Sequence, residues 1–324
     1  MKSRISLPKS ITSRLKLAVS IIVIAAICLS FYYYLGLRGE LGNLPPILVS
    51  GILVGGLYGL VAVGVSIILG VMRVINLCHG ELLVLGGFFT FWAVNFGLDP
   101  FLAMPIAFII LFVLGLALQS FIINPLLKYG LNPPVLVTFG VALAFQNIML
   151  LLWTPDVRII HTAISDINLQ ISGISIPMTR VVALLIALVL AYLTRLFLVK
   201  TFFGKALRAI SQNSEVALLM GIDTSRVNIF CYGLGAGLAA VAGSLIGIVF
   251  SFSPVIGGPY MHKAFAVVVL GGMGNVIGAV VGGIILGVSE TFASWLLGGG
   301  YTNAVAYLIF ILVLIIKPTG IFAK

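Results

Sequence analysis

Residues 200–223 read KTFFGKALRAISQNSEVALLMGID, a polar interval between blocks apolar enough to lie in lipid. Lys205, Arg208, Gln212, Asn213 and Glu215 put it in water, and it is the one sizeable aqueous handle on the chain. Ala206, Leu207, Ile210, Ala217 and Leu218 recur at roughly helical spacing. Ser211, Gln212, Asn213 and Ser214 interrupt them with residues that favour turns and helix N-caps. The spacing predicts two short amphipathic helices meeting near Asn213. Asn213 or Ser214 caps the second, Glu215 sits against its positive N-terminal end, and Gly221 stops it. Such a pair on a membrane surface needs a partner or a lipid interface for its apolar face, and docking onto a motor protein is the expectation.

The rest of the composition fits that frame. Of 324 residues, 61% are hydrophobic and 8% charged, with a mean hydropathy of +1.25, whereas a soluble domain carries about 25% charged residues. This is the composition of a multi-span helical membrane protein. The net charge of +10 does not point to nucleic acid, because Lys and Arg gather at the ends of apolar runs, the pattern of cytoplasmic retention. Cys28, Cys78 and Cys231 have no metal-ligand spacing and read as small buried hydrophobes.

The N-terminal residues 1–16 hold Lys2, Arg4, Lys9, Arg14 and Lys16 and read as a basic cytoplasmic arm. The apolar run at 17–37 outlasts the core of a cleaved signal peptide, about 7–15 residues, and reads as a first span. Further runs lie at 46–70, 80–96, 101–123, 134–153, 179–199, 226–250, 263–272, 276–297 and 304–317, making ten apolar segments. The run at 263–272 is too short for a hydrocarbon core about 30 Å thick at about 1.5 Å per residue; it reads as a half-helix or a crossing completed by its neighbours. If each run crosses once, Arg73, Lys128, Arg195, Lys200, Lys205, Arg208, Arg226, Lys317 and Lys324 fall inside with the N-terminal five. Only Arg38, Arg158, Arg180 and Lys263 fall outside, a bias that puts both ends in the cytoplasm. The outside loop 154–178 carries Asp156, Arg158, His161 and Asp166, and reads either as a landing place for a soluble partner or as an ordered lid over the helix ends.

Glycines recur at intervals of four, as in Gly51, Gly55 and Gly59, in Gly233 and Gly237, in Gly243 and Gly247, and in Gly274, Gly278 and Gly282. In lipid that spacing lets helix backbones approach closely. GILVGGLYGLVAVG (51–64) with VINLCHGELLVLGG (74–87) is echoed by GLGAGLAAVAG (233–243) with VIGGPYMHKAFAVVVLGG (255–272). The blocks begin five spans apart, and an odd offset predicts an inverted repeat of the kind transporters use. The expectation is an all-α polytopic bundle in the lipid bilayer. Its membrane domain covers 17–324, with a first repeat at about 46–153, coupling helices at 200–223 and a second repeat at about 226–317.

Two polar breaks interrupt the spans. Asn76, His79 and Glu81 form the first, either a capped turn or a polar lip on a transport route; Glu81 opens the next helix against its N-terminal dipole. The second, at 253–259, contains Ser253 and two prolines that a regular helix cannot continue through. Gln146, Asn147 and Glu290 are costly facing lipid, so each is expected to face the bundle or a wet path. No buried acid–base pair is evident, which counts against a proton-driven carrier. No phosphate-binding loop of the GxxxxGK[ST] form occurs, so ATP-driven transport requires a separate ATPase, and nothing points to catalysis, a metal or a cofactor.

From about residue 46 to 322 the chain resembles the membrane permeases of branched-chain amino acid ABC transporters, the LivH/LivM family. The matching pieces are GGLYGLVAVG (55–64) with VINLCHGE (74–81), GKALRAISQNSEVALLMGI (204–222), KAFAVVVLGGMGNVIGAVVGG (263–283) and KPTGIF (317–322). Cys78 and Lys317 stand where alanine and arginine are usual. The match is closer to LivH, although the first forty or so residues are more reminiscent of LivM. The resemblance implies a type II importer-like permease in the cell membrane, with residues 204–222 fitting a groove on the ATPase. Gly204, Arg208, Asn213, Glu215, Ala217 and Gly221 are the coupling candidates. Asn76, His79, Glu81, Gln146, Asn147, Ser253 and Glu290 are candidates for the translocation path. Implied partners are ABC ATPase subunits, a second permease subunit, most simply a different one, and an extracytoplasmic binding protein. Branched-chain amino acids are the implied substrates, with urea, short amides or another small polar solute as alternatives, and an ion-coupled carrier as the reading from a different class.

Overall fold

The computed structural model of the chain describes residues 42, 44–130, 132–171 and 173–316. The predicted span at 17–37, Cys28 and the 317–322 motif lie outside them. In chain order the helices are α1 (Leu44–Met72), α2 (His79–Asn95), α3 (Pro100–Leu127, with a π turn at Gln119–Ile123), α4 (Asn132–Trp153) and α5 (Met178–Lys200), followed by α6 (Phe202–Gln212) and α7 (Ser214–Leu219). Then come α8 (Thr224–Val249), α9 (Gly257–Gly271), α10 (Val276–Leu297) and α11 (Thr302–Ile316).

Among the described residues, α1, α3, α4, α5, α8 and α10 are the 6 helices long and apolar enough to cross a membrane. The expected ten segments are therefore corrected. Helix α2 has 17 residues, α9 has 15 and α11 has 15, each below the roughly 20 that a bilayer crossing needs. A run of apolar residues does not distinguish a helix that meets lipid from one that is buried in protein on all sides. Helix α2 is the second kind, with His79 to Gly87 buried without interruption. The all-α class stands, with one small addition inside loop 154–178, where β1 (Asn168–Ile171) pairs antiparallel with β2 (Ile174–Pro177), Asn168 opposite Pro177. Upstream, that loop is stitched to the end of α8. Arg158 and Phe252 exchange backbone hydrogen bonds at 2.8 Å, and Ile160 N–H donates to the Gly247 carbonyl at 2.8 Å. These bonds make the loop an ordered one, as both of its readings allow.

Helices α1 and α8 are the inner ones, with 89% and 83% of their most apolar windows buried, whereas α4 and α5 have 17% and 22% buried. Glycine makes the inner contacts possible. A Cβ on Gly55 would lie 2.6 Å from the Ile284 Cα and 2.7 Å from the Gly283 carbonyl oxygen, and one on Gly51 would lie 2.6 Å from the Val288 Cα. Gly51 against Val288, Gly55 against Ile284 and Gly59 against Val280 fix α1 and α10 as antiparallel neighbours. In the same way Gly243 of α8 rests on the Leu83 carbonyl, and Gly86 of α2 on Ala240. Gly55→Val is expected to force α1 and α10 apart, an overpacking cost of about 1–3 kcal/mol, read as a lowered unfolding midpoint in detergent. Gly140→Ala, whose methyl meets nothing within 4 Å, leaves the midpoint in place; equal midpoints for the two would remove the α1–α10 seam.

Candidate functional site

The two breaks meet. Residues 73–78 leave α1 at Arg73, which has φ of 54°, and re-enter the bundle to start α2. Asn76 Oδ1 accepts from the Cys78 N–H at 3.1 Å and from the Tyr232 hydroxyl of α8 at 3.0 Å. Thr138 of α4 accepts from the Leu77 N–H at 3.3 Å. At the first turn of α2, a Cβ on Gly80 would strike the Gly257 carbonyl, and one on Gly257 would lie 2.6 Å from Glu81 Cδ. The starts of α2 and α9 therefore abut, with the Glu81 carboxylate in the first turn of α2 lying against the first residue of α9. The His79 ring packs against Gly64 and turns toward the Val61 carbonyl without reaching good hydrogen-bond geometry. Asn76 Nδ2, both His79 ring nitrogens and Glu81 Oε2 are buried with no hydrogen-bond partner among the described residues. Each orphan costs about 1–3 kcal/mol, a concentration of unmet polar demand that packing alone does not explain. Ser253 is buried in the second break.

A second polar cluster was not foreseen. Side chains lean toward the N-terminus of their own helix, so on antiparallel α1 and α10 Tyr58 and Glu290 lean toward each other. The Tyr58 hydroxyl donates to Glu290 Oε2 at 2.8 Å. Lys263 of α9 donates to the same oxygen and to the Tyr58 hydroxyl, both at 3.0 Å. The lysine also stands 4.7 Å from the Tyr58 ring centroid and 5.9 Å from that of Tyr260. Side-chain exposure is 14% for Lys263 and 3% for Glu290, so a buried acid–base pair exists, and Lys263 is a bundle residue rather than an outside flank. The expectation of no such pair fails, and one argument against proton coupling falls with it. Sequence spacing had no means of matching a lysine and a glutamate 27 positions apart on different helices.

The polar interval 200–223 forms the predicted helix pair. Thr201 caps α6 through the Gly204 N–H at 3.0 Å, and Gly204 lets the helix fold back onto the Leu198 carbonyl. Asn213 caps α7, accepting from Glu215 and Val216 N–H groups at 3.0 and 3.1 Å. Gly221, with φ of 82°, ends it as Ile222 N–H returns to the Ala217 carbonyl at 3.1 Å, a Schellman closure. Ala217 is buried, while Arg208 and Glu215 are exposed. Arg208 reaches the Val199 carbonyl at 3.3 Å. Beneath this elbow lies a cavity of about 570 Å³ whose lining includes Arg73, Gln212, Asn213, Glu215 and Asn228. Gln146 and Asn147 are not brought to either cluster. Asn147 is exposed on α4 and bonds its own helix at the Leu143 carbonyl, 2.7 Å away, and Gln146 is half-buried beside it.

A helical bundle with buried polar breaks, an embedded ion pair and one wet elbow belongs to the class of multi-pass membrane transport proteins. Residues 47–316 match the family model described as branched-chain amino acid transport system, permease component, and the chain belongs to that family. It is 30% identical over 291 residues to the high-affinity branched-chain amino acid transport system permease protein BraD of Pseudomonas aeruginosa, covering 86% of this chain and 95% of that one. It is also 30% identical over 290 residues to the permease protein LivH of Salmonella typhimurium, covering 85% and 94%. PsaBC from Streptococcus pneumoniae in complex with Fab superposes with a TM-score of 0.47 at 13% identity, over 84% of this chain and 92% of that one. As a permease component the chain is not itself an enzyme.

The junction of the two breaks can be tested at the contact between Gly257 and Glu81. Gly257→Ala sets a methyl against the Glu81 carboxylate and is expected to cost about 1–3 kcal/mol, seen as a lowered unfolding midpoint. Because the obstructing atoms are the far end of one side chain, Glu81→Ala should recover most of the loss in the double variant; additive losses would mean that the two residues do not touch.

Proposed function

We propose that this chain is the translocation subunit of an ATP-driven importer of branched-chain amino acids. It sits in the cell membrane with the elbow toward the cytoplasm and pairs with a second permease subunit across its lipid-facing flank. Two ATPase chains grip the elbow from below, and an extracytoplasmic binding protein delivers leucine, isoleucine or valine at the hairpin end. The substrate class follows from what BraD and LivH are named for, together with their coverage of nearly the whole chain.

The observation that carries the coupling is the split surface of the elbow. Gly204, Ala206, Leu207, Ile210 and Ala217 are buried against the bundle, whereas Phe202, Leu219 and Met220 are 84%, 86% and 78% exposed. Val216 and Leu218 are exposed beside them. Apolar side chains gathered on a polar segment mark a surface made for a protein partner, and Lys205, Arg208 and Glu215 supply a charged rim that sets its register. Asn213 and Gly221 shape the elbow rather than touch the partner. Asn76, His79, Glu81, Ser253 and Glu290 line the route in this reading.

Leu219→Asp and Arg208→Glu are each expected to lower stimulated ATP hydrolysis and leucine uptake by about tenfold or more, the loss of about 1.4 kcal/mol of contact, with the bundle still folded. If uptake and hydrolysis survive both changes, the elbow is not the coupling surface. A second reading, an ion-coupled carrier, is favoured by the Lys263–Glu290 pair alone. Leucine uptake by this chain in liposomes under an ion gradient, without ATPase chains, would put it in place of the first.

A further inference from the structure

We propose that Lys263 and Glu290, held by Tyr58, form a head-group subsite for an α-amino acid zwitterion on the translocation route. This rests on the importer reading and names which residues meet the substrate's charges. Lys263 has three N–H donors and uses two of them, on Glu290 Oε2 and on the Tyr58 hydroxyl. Glu290 Oε2 accepts from both partners, whereas its Oε1 is buried with no hydrogen-bond partner among the described residues. Among the described residues the cluster thus leaves one ammonium hydrogen without a nitrogen or oxygen acceptor and one carboxylate oxygen without a donor. A zwitterion presents the complementary pair, a carboxylate to take the lysine hydrogen and an ammonium to fill Oε1, at the same close spacing.

Its surroundings suit that ligand. Opposite charges in the middle of a membrane bundle mark routes for polar solutes, and the ammonium retains some exposure while the carboxylate is almost fully covered. A zwitterion that binds at the remaining valences brings one charge of each sign beside its opposite while the internal pair stays in place, so no charge is left uncompensated. The rings of Tyr58 and Tyr260, 6.1 Å apart edge to face, give the lysine a cation–π resting place whether or not the site is filled. Six residues separate Lys263 from Gly257, about 9 Å along α9 at 1.5 Å per residue, so the cluster lies close to the buried orphans of the two breaks. A compound with only a carboxylate or only an ammonium would leave one valence unmet and bring in a net charge.

The test uses the assembled permease–ATPase complex in nanodiscs, without binding protein. The probes are leucine, 4-methylpentanoate, which lacks the amine, and 3-methylbutylamine, which lacks the carboxylate. Leucine is expected to raise the unfolding midpoint and the two half-charged analogues are not. Lys263→Met with Glu290→Gln in one chain keeps a neutral pair of similar volume and should fold like the wild type, so it answers for the single variants should they misfold. In that double variant the leucine-dependent shift should vanish, and with binding protein restored the half-saturating concentration for uptake should rise about tenfold, as for one lost charge-assisted contact. A wild type whose midpoint no α-amino acid raises, or a double variant with undiminished shift and uptake, overturns the subsite. Absence of ATP-driven leucine uptake by the wild type overturns the importer reading instead, and the midpoint measured against a panel of amino acids still decides the subsite.

Discussion

Between helices in lipid there is little water to expel, so how closely two backbones approach decides how strongly they hold. In this chain the approach is set by glycine. The α1–α10 seam through Gly51, Gly55, Gly283 and Gly287 and the α2–α8 seam through Gly86 and Gly243 are backbone-to-backbone contacts. Both polar clusters follow from them. Helix α2 starts beside Tyr232 because it lies flat on α8, and Tyr58 meets Glu290 because nothing larger than hydrogen separates α1 from α10. Widening either seam therefore undoes a polar contact as well as an apolar one.

The polar clusters in turn explain the make-up of α9, one of the helices too short for a full crossing. Helix α9 would be an anomaly in lipid, with glycines and a proline at its start and a lysine in its second turn. Inside the bundle each of these has a use. Gly257 accommodates the Glu81 carboxylate, Pro259 occupies a first-turn position where no intrahelical N–H bond is lost, and Lys263 neutralises Glu290. Removing one partner of such a pair costs about 3–5 kcal/mol because the other charge stays buried alone, so α9 is tied to α1 and α10 by more than shape.

What could be read from the sequence divides along this line. The elbow was legible almost to the residue, Asn213 or Ser214 as cap and Gly221 as stop, and the fold takes Asn213, because caps and stops are local chemistry that short spacing records. The glycine seams were legible as intervals of four, although not which seam met which. The run at 263–272, inside α9, was legible as too short to cross, but the number of spans was not, because α2 and α11 are as apolar as helices that do cross. Nor was the Lys263–Glu290 pair, since a charge flanking an apolar run looks the same whether it faces water or a partner on another helix. The residues of the two breaks were legible as polar interruptions, while their meeting at Gly80 and Gly257 needed the fold.

Two lines of contact join the elbow to the buried polar clusters, and they differ in stiffness. One runs from the Ser211 carbonyl to the Arg73 guanidinium, a single exposed hydrogen bond at 3.3 Å, and on through the loop to Asn76. The other is α8, which begins at Thr224 directly after the elbow and carries Tyr232 eight residues on, about 12 Å up a continuous helix. Both end on the hydrogen bond between Tyr232 and Asn76. A long exposed bond contributes little, and Arg73 holds a left-handed conformation that costs a non-glycine residue about 1–2 kcal/mol. A packed helix transmits displacement with small loss. In the importer reading proposed above, a push at the elbow would therefore travel along α8, and the loop from Arg73 to Asn76 would be the part that yields. The bond at Tyr232 is where the rod and that loop meet, so in the same reading the first response to the elbow would fall at the start of α2, beside Asn76, His79 and Glu81.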